Sequence, residues 1–101
     1  MHISINVDTE TASILEPEVL TEFHILSPEI DEGRVASVIG NGAAPAGDGH
    51  VWVSIEWITH NVKGETPEGW EEDFSGMVQY AVGKGWVNDP GTHLKAHIKI
   101  G

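Results

Sequence analysis

The sequence predicts an α+β fold: a small, mostly antiparallel sheet of three to four strands, with two or three helices packed on one face. Three observations carry this reading. HISINV and THLKAHIKI alternate apolar and polar residues strictly, as half-buried strands do. The segment 67–84 carries the apolar stripe of an amphipathic helix. Clusters of Gly, Pro, Asn and Asp punctuate the chain between these segments. At 101 residues the chain makes one domain, 1–101, because halves would be too small to hold a core unaided.

The first strand is expected at His2–Val7, with Ile3, Ile5 and Val7 on one face and His2, Ser4 and Asn6 on the other. VDTE follows, where Asp8 and Glu10 read as a solvated turn, with a carboxylate pair for acid–base work or cation binding as the sharper alternative. The stretch Val19–Leu26 suits a strand through Val19, Thr21, Phe23 and Ile25. It suits a helix through Val19, Leu20, Phe23 and Leu26 equally well, so a fourth strand stays open there. Ser27 is placed to cap a helix whose first position is Pro28, with Glu29 near its positive end and Gly40-Asn41-Gly42 closing it. GNGAAPAGDG reads as a loop of small residues. It lacks the Lys and Ser/Thr that a phosphate loop places after its second glycine.

A buried strand is expected at His50–Val53, running into a short helix capped by Ser54 and closed by Gly64, with a continuous strand as the alternative. The most secure element is the helix Pro67–Lys84. Thr66 would cap it, and Trp70, Phe74, Met77, Val78 and Ala81 share one face. Gly69 and Gly76 weaken it by up to about 1 kcal/mol each, and Gly76 suggests close approach of another element. NDPG then turns the chain into the last strand, Thr92–Ile100.

Composition excludes several activities. Sixteen acidic residues against five Lys and Arg give a net charge of -11, which opposes binding to nucleic acid or to an anionic membrane. A helix, a turn and a returning strand outline a winged-helix reader, but its helix would carry Glu68, Glu71, Glu72 and Asp73 against Lys84 alone. The absence of cysteine removes disulfides, thiolate zinc sites and thiol catalysis. The opening MHISINVDTE has neither the basic nor the apolar stretch of a signal peptide. No apolar run approaches the roughly 20 residues needed to span a bilayer. A cytoplasmic location is therefore expected.

Two sets of residues stand out as candidate sites. Glu56 and His60, four apart in EWITH, share a helix face and could hold a metal together with a strand histidine, His97. His93 and His97 share a strand face but lie roughly 13 Å apart, too far to hold one ion by themselves. The second set is a partner-binding face drawn from Trp52, Trp57, His93, Lys95 and Lys99, since tryptophan is enriched at interface hot spots. His93, Lys95, His97 and Lys99 form a basic stripe that fits an acidic partner or offsets the acidic N-terminal half. Neither GxSxG nor HExxH occurs. The sequence thus points to a non-catalytic module that binds a protein or itself, without a cofactor. A small metal-binding protein or enzyme is the alternative.

Overall fold

A computed structural model describes residues 1–40, 42–62 and 66–101; the expected terminators Asn41 and Gly64 lie outside them. The α+β class holds, but the sheet is larger and mixed. Among the described residues there are six strands and three helices: β1 (His2–Asn6), β2 (Thr11–Leu15), β3 (His24–Ser27), α1 (Glu32–Ile39), β4 (Ala43–Gly47), β5 (His50–Ser54), α2 (Ile55–Asn61), α3 (Trp70–Lys84) and β6 (His93–Ile100). The strand order is β2-β1-β3-β6-β5-β4. β1, β3 and β6 run parallel, while the outer pairs β1–β2, β5–β6 and β4–β5 are antiparallel.

Two strands were not expected. VDTE is indeed a turn, in which Asn6 Oδ1 accepts from the amides of Asp8 and Thr9, and it returns the chain into β2. Only Ala12 and Ile14 of β2 face the core, too short an alternation to signal a strand. The small-residue loop is in fact edge strand β4. Asp48 and Gly49 both have positive φ, 52° and 76°, as a type I′ hairpin turn requires, and Asp-Gly is its sequence signal. Glu32 secures this hairpin by accepting from the amides of Gly47 and Gly49 at 2.6 and 2.9 Å. These bonds hold its carboxyl pKa below the ordinary value of 4.5.

The stretch 19–26 is neither helix nor strand over most of its length; only His24–Ser27 pairs. Ser27 ends β3 rather than capping a helix, and its hydroxyl accepts from the Glu29 amide at 3.1 Å. Helix α1 begins four residues later than Pro28, capped by Asp31, whose carboxylate accepts from the Arg34 amide at 3.1 Å. Ser54 caps α2 as expected. Helix α3 starts at Trp70, not Pro67, because Gly69 adopts a left-handed φ of 83°.

The core collects Ile3, Ile5, Ile14, Ile25, Val51, Val53, Leu94, Ala96 and Ile98 from the inward sheet face. Val35, Ala36 and Ile39 of α1, Ile58 of α2, and Trp70, Phe74 and Ala81 of α3 join them. Trp70 also donates its indole N–H to Pro17 O at 2.6 Å. Helix α1 packs against both edge strands, β2 and β4. A flat six-stranded sheet would hold its edges roughly 24 Å apart, whereas a helix of eight residues is about 12 Å long. The sheet therefore curls around α1. Strand β6 is paired on both sides, with β3 and β5, so it is an inner strand and not a free wing.

Candidate functional site

The outer face of the sheet holds the densest polar chemistry. Alternation puts His2 and Ser4 of β1, His24 and Leu26 of β3, His93, Lys95, His97 and Lys99 of β6, and His50 and Trp52 of β5 on this side. None of them is buried, in contrast to the inward residues between them. The strand registers align four histidines in one row. His2 lies opposite His24, His24 opposite His97, and His97 opposite His50. Strands stand about 4.8 Å apart, and two of the three neighbouring pairs bring their rings into contact. His2 and His24 stack with centroids 5.2 Å apart and planes 6° apart, and His50 and His97 lie 5.0 Å apart, tilted by 43°.

Next to this row, Lys95 lies opposite Trp52 and its ammonium stands 5.2 Å from the indole centroid, a cation–π contact. Lys99 lies diagonal to His24, across from Leu26. Burial pushes the His24 pKa down; Lys99 and His2 act in the same direction, while Glu22 opposes them. At the other end of β6, His93 Nδ1 contacts Thr92 Oγ1 at 2.7 Å.

Four of the five residues expected at a partner-binding face, Trp52, His93, Lys95 and Lys99, therefore share one surface. Trp57 does not. It sits on α2, half-buried against the core and over Gly42. Glu56 and His60 are exposed on α2 beside Trp57, while His97 belongs to the sheet row. Among the described residues no three His, Asp or Glu side chains converge on a point where a metal could be held. Glu56, His60 and His97 are thus not brought together as one ligand set. Asp8 and Glu10 are exposed at the β1–β2 turn, and Glu10 pairs with Arg34 at 2.8 Å.

Sequence reasoning missed His2, His24 and His50 as members of the row. Each stands at the polar phase of its strand, which was visible; their mutual register was not. A second surface feature lies at the end of α3, where Leu20, Phe23, Met77, Tyr80 and Trp86 line a groove of about 100 Å³. Small-molecule pockets measure about 300–1,000 Å³, so this groove is too small to be one. Trp86 and Tyr80 are 47% and 62% exposed at its rim, meeting edge to face at 6.2 Å. No helix among the described residues is long and apolar enough to cross a membrane. Comparison with known protein families, with curated proteins and with solved structures finds no match.

Proposed function

We propose that this chain is a non-catalytic module that binds an acidic protein segment, its own or a partner's, on the outer face of the sheet. The observation that carries this reading is the Trp52–Lys95 contact flanked by Lys99 and the histidine row. In a chain with five Lys and Arg and a net charge of -11, two lysines and a half-buried tryptophan on one surface form a local reversal of sign. An aromatic platform beside cations is the composition of an interface hot spot. In a self-association, the acidic first turn of α3, with Glu71, Glu72 and Asp73, supplies the complementary charge from a second copy.

The test is sedimentation velocity of the chain, alone and with an Asp/Glu-rich peptide, at about 0.1 M and about 1 M salt, where the Debye length falls from about 10 Å to about 3 Å. Association is expected at the lower salt, weakened at the higher and removed by the double variant K95E/K99E. A strict monomer that ignores the peptide at both salts defeats the reading. Association that K95E/K99E leaves intact moves the interface elsewhere and defeats it equally.

A further inference from the structure

The groove at the end of α3 originates in the sheet. Two segments share one edge of β6. β3 pairs with its far half, from His97 to Ile100. The chain after α3 takes the near half, where Trp86 O accepts from the Lys95 amide at 2.8 Å and Val87 bridges to Leu94. The groove opens where the edge changes hands, between Leu20 and Phe23 ahead of β3 and Trp86, with Met77 and Tyr80 of α3 as a further wall. Lys95 lines it and also stands 5.2 Å from the Trp52 ring centroid. Groove and outer sheet face are therefore one continuous surface.

Size and charge together define the occupant. An engineered apolar cavity of about 150 Å³ holds benzene, so a groove of about 100 Å³ holds one aliphatic side chain and no more. At its mouth, the Lys84 ammonium stands 5.5 Å from the Tyr80 ring centroid, within cation–π range. Among the described residues neither Lys84 nor Lys95 belongs to an ion pair. The one carboxylate lining the groove, that of Glu22, stands 3.7 Å from His24 Nδ1. Two lysines against one carboxylate make the mouth net positive on a chain of charge -11. That charge repels a whole second copy more than a short acidic segment. We propose, resting on the acidic-segment reading above, that the partner segment carries a single leucine-sized anchor between its carboxylates. The groove seats the anchor, and Lys84 and Lys95 hold the carboxylates on either side of it. A purely acidic run would leave the aromatic walls of Phe23, Tyr80 and Trp86 uncovered, whereas buried aromatic walls are what make a hot spot.

The test titrates the full chain with two peptides by calorimetry at about 0.1 M salt: Asp-Glu-Asp-Leu-Glu-Asp-Glu, and the same peptide with Ala in place of Leu. The Leu peptide is expected to bind at least about tenfold more tightly, the effect of burying three further aliphatic carbons. Tyr80→Ala, at an exposed position, should cost the Leu peptide at least about fivefold and leave the Ala peptide unchanged. Equal binding of the two peptides overturns the anchor while the acidic-segment reading stands. Binding of neither defeats that reading, and the anchor falls with it. A Leu preference that survives Tyr80→Ala places the anchor elsewhere and overturns the proposal. Self-association that Tyr80→Ala abolishes seats a second copy in the groove and overturns it too. NMR of the unmodified chain provides a check that no variant's folding can disturb. Nuclear Overhauser contacts are expected from the peptide Leu methyls to the Met77 methyl and the Trp86 indole; a bound Leu peptide without them overturns the proposal.

Discussion

Gly42 shows how one residue can fix the seat of an element. It is buried, and a Cβ built on it would come within 2.7 Å of Cβ and Cγ of Trp57. Its carbonyl also accepts from the Ser54 amide, the residue that caps α2. Strand end, helix cap and indole therefore meet at a point with no room for a methyl group. Gly42→Ala is expected to destabilise the chain by about 1–3 kcal/mol, the usual penalty for overpacking, read as a lower urea midpoint with an unchanged slope. A midpoint equal to that of the wild type would show that α2 slides freely over this contact. The sequence marked Gly42 as a helix terminator and a loop glycine, because nothing in its neighbours reports a tryptophan fifteen positions away.

Among the elements, α3 was the most legible, and its apolar stripe holds: Trp70, Phe74 and Ala81 are buried, with Met77 and Val78 packed at the margin. Its glycine was misread. Gly76 is exposed, and a Cβ there would meet nothing within 4 Å, so no close approach explains it. Gly76→Ala should raise stability by up to about 1 kcal/mol through helix propensity alone, seen as a higher melting temperature and urea midpoint. A loss of stability would mean that the exposed face of α3 is covered in solution. The capping errors have a common cause. Ser27 and Thr66 carry the side chains that caps prefer, but backbone pairing of β3 claims the first, and the left-handed Gly69 delays the helix past the second. Cap chemistry is local, whereas the choice among neighbouring candidates depends on where the strand stops.

At the scale of the whole molecule, His24 couples the sheet to pH. His24 has its pKa lowered from the ordinary value of 6.5, so folding favours its neutral form. The unfolded chain then binds more protons than the folded one as pH drops below that value. The stability contributed above pH 6.5 is lost as pH falls from there through the depressed folded pKa. The denaturation midpoint should fall between about pH 7.5 and about pH 5.5, and His24→Gln should flatten this slope whatever it does to stability at neutral pH. An unchanged slope in His24→Gln would assign the effect to other groups. The depressed carboxyl of Glu32 acts in a separate window, below its ordinary value of 4.5, where protonation loosens the β4–β5 hairpin.

By itself the sequence determined which side chains share a face and which elements are strongly amphipathic. The alternation of His2–Asn6 and His93–Ile100, the Ser54 cap and the stripe of α3 are all short-range patterns, and all reappear in the fold. Only the tertiary structure decided which strands are neighbours. β1, β3 and β6 come from distant parts of the chain and pair in parallel, and β2 and β4 close the edges with too few inward residues to declare themselves. The histidine row follows from that pairing. A period of two fixes the side of the sheet on which a histidine stands, but strand order and register, set by burying the inward face of the whole curled sheet at once, decide that His2 stands beside His24.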